Sequence, residues 1–281
     1  MKSCAYAKIN LCLIITGIEN GYHLLDSVMA SCKNLKDTVI VKKSKKDSIK
    51  FLGKFSDIDP QNNTVYKTLT LFREKGFDIP PLDIKIKKRI PIMAGLGGSS
   101  ADAACFIKII CKMFKLSLSD PKILEIAKTA GSDIPYMLNT RPCRVKGTGN
   151  IIQPLKNNFK LKAIIAMSGT VSTKQSFQAF DELGLEGSDK THCDNITKAL
   201  ENADFELLKN NLVNDLEKAS CYINPKIVSA KELLKAAGAE AAAMTGSGGA
   251  FFALARNNRV LNKIYKSLKG KVRFLYKTEI F

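Results

Sequence analysis

Pro91-Ile92-Met93-Ala94-Gly95-Leu96-Gly97-Gly98-Ser99-Ser100-Ala101-Asp102-Ala103-Ala104 is the stretch from which the rest of the chain can be read. Ahead of it Leu82–Ile86, running on to about Ile90, reads as a strand. Behind it Phe106, Ile109, Ile110 and Met113 recur at helical spacing and mark an amphipathic helix. A strand that turns through glycines into a helix brings backbone N–H groups close to an anion, and the helix dipole adds to their pull. Ser99 and Ser100 add hydroxyls for phosphate or for a magnesium ion. Ser99 with Asp102 also fits the Ser-x-x-acid pattern of a capped helix start. The stretch is not G-x-x-x-x-G-K-[ST], and Gly95 and Gly97 lack the third glycine of a dinucleotide fingerprint. Protein-kinase signatures, H-R-D and D-F-G, are absent. Taken alone, the glycines are better explained by a tight connection that binds nothing.

Upstream, Ala5, Ala7, Ile9, Leu11, Leu13 and Ile15 alternate with positions that include Tyr6, Lys8 and Asn10. That period of two predicts a strand with one buried face, from whose other face Lys8 and Asn10 project together. Asn20-Gly21 is a turn, followed directly by Tyr22-His23. Thr38–Val41 reads as a strand and Asn63 to about Lys75 as a helix. Downstream, Ser119-Asp120-Pro121 opens a second helix that should stop at Gly131. Asp133 then sits at a chain reversal, where an acid is usually a plain turn residue but can serve as a base. The Gly147-Thr148-Gly149-Asn150 cluster is the boundary candidate, which divides the chain into domains 1–155 and 156–281. Beyond it come a strand (Leu161–Met167), helices near Thr173–Leu183, Asp204–Lys218 and Pro225–Ala237, a strand–turn–strand around Gly246-Ser247-Gly248-Gly249, and a last strand. Mixed elements in each half give an α+β class with two domains.

Forty-four Lys and Arg against 26 Asp and Glu give a net charge of +18. A field of that sign favours polyanions: nucleic acid, a membrane surface or phosphorylated metabolites. A lysine-rich solvated surface explains it equally well. No basic run interleaves with aromatics, so no nucleic-acid partner is expected. Eight cysteines without a C-x-x-C pair read as reduced core thiols. His192-Cys193 lacks the further ligands of a zinc site, so no structural metal is expected. Lys8 and Asn10 interrupt any signal-peptide core, and no run approaches a membrane span. The expectation is a soluble, cytoplasmic protein without a membrane partner.

Several blocks, taken in order, resemble one family. Ala5–Asn10 (A-Y-A-K-I-N) with Asn20-Gly21-Tyr22-His23-Leu24-Leu25 is similar to the first motif of the 4-diphosphocytidyl-2-C-methyl-D-erythritol kinases, in the GHMP kinase superfamily. Pro91–Ala104 resembles the superfamily's ATP loop, and Gly131-Ser132-Asp133-Ile134-Pro135 its catalytic aspartate segment. Ser172-Thr173 to Phe177, Asn214-Asp215-Leu216-Glu217 and Met244–Leu254 resemble later blocks. Tyr6, Asn20 and Lys146 depart from the pattern, and the two serines stand one place early. Which of Ser99 and Ser100 meets phosphate or magnesium therefore stays open.

The resemblance implies a two-domain GHMP kinase fold: an N-terminal domain like ribosomal protein S5 domain 2 and a C-terminal ferredoxin-like domain, with the active site in a cleft between them. It implies ATP and Mg2+, and a small-molecule substrate carrying a cytidine diphosphate, in a monomer or homodimer. ATP would lie on Pro91, Ala94, Gly95, Leu96, Gly97, Gly98, Ser99 and Ser100, with adenine near Asn63 and Lys88. Asp133 would be the catalytic base, with Lys8 beside it as the charge-stabilising cation. The substrate would meet Asn10, Tyr22, His23, Thr173, Phe177, Gly246 and Ser247, with cytosine between Tyr22 and Phe177 and its edge read by His23. Mevalonate, homoserine or galactose kinases of the same superfamily are the nearest alternatives, since they share the loop but not the Gly-Tyr-His block. A noncatalytic nucleic-acid binder is the more distant one.

Overall fold

The computed structural model describes residues 1–280. In chain order its elements begin with β1 (Lys2–Glu19), β2 (Tyr22–Lys43), β3 (Ser48–Gly53), α1 (Thr64–Glu74), β4 (Leu82–Lys88), α2 (Gly98–Phe114), α3 (Pro121–Ala130) and the single turn α4 (Ile134–Met137). There follow β5 (Cys143–Gly147), β6 (Ile151–Pro154), β7 (Leu161–Met167), α5 (Thr173–Glu182), α6 (Thr191–Asn202), α7 (Phe205–Lys209), β8 (Val213–Asn214) and α8 (Leu216–Ile223). The remainder is α9 (Val228–Ala236), β9 (Ala241–Met244), β10 (Ala250–Ala255), α10 (Asn258–Leu268) and β11 (Phe274–Ile280). The chain forms two compact units, each drawn from separated segments. One takes residues 1–7, 35–92 and 97–140; the other takes 8–34, 93–96 and 141 onward. Contacts therefore do not divide the chain at 155/156. The Gly147–Asn150 cluster is instead the turn of a β5–β6 hairpin, in which Lys146 faces Ile151 and Cys143 faces Pro154.

In the first unit β4 pairs antiparallel with β2 (Val39 with Ile86, Val41 with Ile84) and parallel with β3 (Ile49 with Ile84). Alternation decides which face of β4 is inside: Leu82, Ile84 and Ile86 are fully buried, while Asp83, Lys85 and Lys87 are not. Val65, Leu69 and Phe72 of α1, and Ile123 and Ile126 of α3, join this core. Helix α2 is more deeply set than its stripe of Phe106, Ile109 and Ile110 suggests, because every residue from Ala101 to Ile107 is also buried. Its start differs from the expected capping box. Gly97 is the N-cap, with no side-chain cap bond, and Asp102 is turned inward.

In the second unit β11, β7, β10 and β9 lie side by side and antiparallel, with Tyr276 facing Ile165 and Phe252 facing Ala243. β2 pairs with β5 through Ser27 and Val145. Helices α5, α8, α9 and α10 supply Phe180, Leu216, Leu234, Leu261 and Ile264 to the core. β1 departs from the single-face expectation: Lys8, Asn10, Cys12 and Ile14 are as covered as Ile9, Leu11 and Leu13. Parallel pairing with β8 (Cys12 with Val213) and a bond from Asn10 N–H to Thr245 Oγ1 (3.0 Å) account for part of that cover. The same pairing breaks the single helix expected over 204–218 into α7, β8 and α8, tertiary contacts overriding local propensity. Cys12 and Cys193 are joined, with their Cα atoms 6.0 Å apart, so two of the eight cysteines are not the free thiols expected. A separation of 181 residues hides that pairing from any local reading. Cys4, Cys32, Cys105, Cys111, Cys143 and Cys221 form no disulfide. Among the described residues no helix is long and apolar enough to cross a membrane.

Candidate active site

The glycine-rich loop is built from backbone that ordinary residues avoid. Met93, Gly95 and Gly97 have φ of 52°, 73° and 67°, so alternate residues take the left-handed region. Gly95 is required for a second reason. A Cβ there would lie 2.1 Å from the carbonyl oxygen of Thr245, and one on Gly246 (φ 58°) would lie 2.6 Å from the carbonyl oxygen of Gly95. The two glycine turns thus touch backbone to backbone. They are tied further by Ala250 N–H to Ala94 O (3.1 Å), and Leu96 O accepts from Lys8 N–H (3.0 Å). Beyond the loop, α2 presents a first turn whose N–H groups have no side-chain cap. That is the electrostatic and hydrogen-bonding condition for holding a phosphate. Ser99 is exposed in this turn and Ser100 half-buried.

Replacing Gly95 with alanine should separate these turns. The left-handed backbone alone costs about 1–3 kcal/mol for a non-glycine residue, and the Thr245 carbonyl adds a clash. Gly184→Ala is the control, because its φ is also positive (58°) but nothing lies within 4 Å of its Cβ position. Thermal unfolding and the KM for ATP are the measurements. Gly95→Ala should exceed the control in both, and equal effects would mean that the close approach carries no weight.

Beneath α2 lies a buried charge cluster. Lys88 Nζ is 2.5 Å from Asp37 Oδ2 and 2.6 Å from Asp102 Oδ2, with all three side chains at most 2% exposed. Asp37 Oδ1 also accepts from the N–H groups of Arg89 (2.5 Å) and Ile90 (2.9 Å). Burial alone drives an ammonium down, but the carboxylates of Asp102 and Asp37 outweigh it and hold Lys88 above its ordinary value. Burial pushes the Asp102 carboxyl up, against the pull of Lys88; its Oδ1 has no hydrogen-bond partner. The Lys88 ammonium is therefore turned inward and engaged by two acids, which is not how a residue presents a donor to adenine. It braces the strand end, Asp37 and α2 against one another. Asn63 likewise caps α1, its Oδ1 accepting from Tyr66 N–H (2.9 Å) and its Nδ2 donating to Asp59 O and Pro60 O.

Lys8 is 3% exposed, and its ammonium donates to Asn10 Oδ1 at 2.6 Å. Asn10 Nδ2 donates to Ser27 Oγ (2.8 Å), and Asn10 Oδ1 accepts from Gly246 N–H (3.0 Å). Ser247 Oγ is 2.7 Å from Thr173 Oγ1, and its carbonyl accepts from Ser176 Oγ and Ser220 Oγ. Five residues predicted from sequence, Lys8, Asn10, Thr173, Gly246 and Ser247, are thus bonded together in two adjoining groups. Asp133 stands half-buried at the head of α4, its carbonyl accepting from Met137 N–H (3.0 Å) and its side chain not used as a cap. Around the expected cytosine site, Phe177 is stacked on His23 instead (centroids 4.7 Å, planes at 29°), and His23 Nε2 is 2.8 Å from Asp181 Oδ1. Tyr22 is 69% exposed.

Sequence reasoning placed Asp37, Asp102, Ser176 and Ser220 at no site. Parity was the available signal for the first two. Lys88 shares the phase of Leu82, Ile84 and Ile86, so it points inward and needs buried acids.

Residues 63–139 match the GHMP kinases N terminal domain family, and residues 196–273 match the GHMP kinases C terminal family. The chain is 32% identical to 4-diphosphocytidyl-2-C-methyl-D-erythritol kinase of Clostridium beijerinckii, over 99% of each chain. A crystal structure of 4-(cytidine 5'-diphospho)-2C-methyl-D-erythritol kinase superposes with a TM-score of 0.80 at 26% identity, covering 100% of this chain and 99% of that one. L. major mevalonate kinase gives 0.71 at 17% identity, over 100% and 95%, a likeness of fold alone. With family matches in both halves and a full-length relative at that identity, the chain belongs to the GHMP kinases and, within them, to the 4-diphosphocytidyl-2-C-methyl-D-erythritol kinase family.

Proposed function

We propose that this chain transfers the γ-phosphoryl group of ATP to the 2-hydroxyl of 4-diphosphocytidyl-2-C-methyl-D-erythritol, a step toward isoprenoid precursors by the non-mevalonate route. The observation that carries the reading is the uncapped first turn of α2 behind a loop with left-handed residues at 93, 95 and 97. Such a cradle suits the phosphates of a nucleotide. As the substrate hydroxyl attacks the γ-phosphorus, its proton passes to the Asp133 carboxylate, and the bond from the γ-phosphorus to the bridging oxygen breaks to leave ADP. Lys8 offsets negative charge on the transferring group, and Asn10 fixes the direction of its ammonium. Alignment and charge stabilisation of this kind supply most of the catalysis in phosphoryl transfer.

Magnesium fits the donors present as an ion carried by the nucleotide. The Ser99 and Ser100 hydroxyls are hard oxygen donors at the head of α2, and among the described residues no group of three or more His, Cys, Asp or Glu forms a cage. The ion would neutralise phosphate charge while keeping part of its water shell. The positive net charge suits a substrate and a nucleotide that both bear polyphosphate. We place the enzyme in the cytoplasm, as a monomer or homodimer without a nucleic-acid partner.

ADP release from ATP, magnesium and the cytidylylated alcohol tests the activity, with mevalonate, homoserine and galactose as the substrates that should fail. Cytosine recognition is tested separately. Phe177 and Tyr22 as stacking platforms should each contribute about 1–3 kcal/mol. His23 covers one face of Phe177, so the base takes the other face or displaces the imidazole. Tyr22→Ala with Phe177→Ala should weaken CDP in calorimetry by one to several decades and leave an ATP analogue unaffected. Equal loss for both ligands would signal unfolding, and no loss for CDP would remove cytosine from these rings.

A further inference from the structure

Gly246 lies where the second glycine turn meets the first, and its N–H and its carbonyl are held by two asparagines distant in sequence. Its N–H donates to Asn10 Oδ1 at 3.0 Å, and its carbonyl accepts from Asn214 Nδ2 at 2.9 Å. The same Nδ2 donates to Met244 O at 3.0 Å, while Asn214 Oδ1 accepts from Leu216 N–H at 3.1 Å. Asn214 is buried, with both amide protons and its oxygen engaged, so it has no donor left for a ligand. Asn10 closes the other side. Its Oδ1 receives the Gly246 N–H and the Lys8 ammonium together. An amide oxygen has two lone pairs, and a shift of Gly246 would alter both bonds at once.

We propose that Asn214 is a positioning residue for phosphoryl transfer. By holding the Met244 and Gly246 carbonyls, which belong to the peptides before and after the Thr245–Gly246 peptide, it fixes the peptide between them. The Gly246 N–H of that peptide fixes Asn10 Oδ1, and Asn10 aims the Lys8 ammonium. The path from Asn214 to Lys8 runs entirely through hydrogen bonds of 2.6–3.0 Å. It also gives the break between α7 and α8 a purpose, since an unbroken helix would not deliver Asn214 to this turn. The inference rests on the assignment of Lys8 to the transferring phosphoryl group.

The test uses the full enzyme with Asn214→Asp, Asn214→Ser, Asn10→Ala and the double variant Asn10→Ala/Asn214→Ser. Asn257→Ala, which removes the cap of α10, is the structural control. Aspartate keeps the acceptor for Leu216 but turns a carboxylate oxygen toward two carbonyls; serine removes the donors without adding charge. Misplacement of a catalytic group by about 1 Å can cost 10²-fold, so both Asn214 variants should lose at least ~10-fold in kcat while CDP affinity holds. The double variant should be little slower than Asn10→Ala alone, because two residues acting on one peptide are not additive. Asn257→Ala should lower Tm and leave kcat unchanged. Native kcat in either Asn214 variant, additive losses in the double variant, or loss of CDP binding in both Asn214 variants would each overturn the proposal. Lys8→Met measured alongside separates the two readings. Near-native kcat there would overturn the Lys8 assignment and the proposal with it, whereas a lost kcat in Lys8→Met beside native kcat in the Asn214 variants would overturn the proposal alone.

Discussion

Asp133→Asn should lower kcat by ~10²-fold or more, the scale on which positioned proton acceptors contribute, with the KM values for ATP and for the alcohol changed far less. The substitution is nearly isosteric, and the contribution of residue 133 to α4 is made by its backbone carbonyl, which asparagine keeps. The side chain makes no cap bond to the helix. What is lost is the carboxylate as a place for the substrate proton. Steady-state kinetics with circular dichroism on the same sample decide it. A correctly folded Asp133→Asn enzyme with near-native kcat would sink the assignment of this residue as base.

Lys88→Met should cost about 3–5 kcal/mol of stability, the range seen when one member of a buried ion pair is removed. Methionine fills much of the lysine stem, so cavity formation is a small part of the loss. The larger part is that Asp37 and Asp102, both almost wholly buried, face each other without a cation between them. Without it, the burial that already pushes the Asp102 carboxyl up acts with no cation to oppose it. Acids with raised folded-state values bind more protons folded than unfolded, so stability is greatest at low pH and falls as pH rises out of the ordinary carboxylate range. The variant's deficit should therefore widen between pH 5 and pH 8 in urea unfolding. Since the cluster braces the start of α2, the KM for ATP should rise as well. A deficit that is small and independent of pH would show that the acids are not held as the geometry indicates.

The loop at 91–104 was legible because its chemistry is local: glycines, serines and a helix pattern within fourteen residues. Asn63 to Lys75 was legible for the same reason, an asparagine cap followed by Val65, Leu69 and Phe72 on one stripe. α10 could have been found that way too, from Asn257 before Leu261, Ile264 and Leu268. Lys8 and Asn10 were placed correctly on one strand face, but the cover over that face comes partly from Thr245 and Gly246, more than 230 residues away. No local pattern contains that information. Tyr22 and Phe177 were paired through the family resemblance, while the structure lays His23 on Phe177. Ser99 looked like a helix cap, but the left-handed residue Gly97 starts the helix earlier and leaves Asp102 free to turn toward Lys88.

The coverage of β1 on both faces has a consequence for biosynthesis. Asn10 is satisfied by Thr245, Ile15 by Asp215, 200 residues on, and Cys32 in β2 faces Ile280. At roughly 5–20 residues per second, a ribosome needs about 12–47 s to reach residue 245 after residue 10 has been made. Throughout that interval Ile9, Leu11 and Leu13 belong to a strand paired with β2 alone, whose other edge waits for β8 and whose cover waits for Thr245. The unit holding residues 35–92 and 97–140 has no such wait, because its segments are complete once residue 140 has emerged. Pairings of such long sequence separation also close slowly after synthesis, since loop entropy is lost before contacts form. β1 therefore keeps one unfinished edge through most of synthesis, and a chaperone that binds nascent apolar segments should shield it until β8 is made.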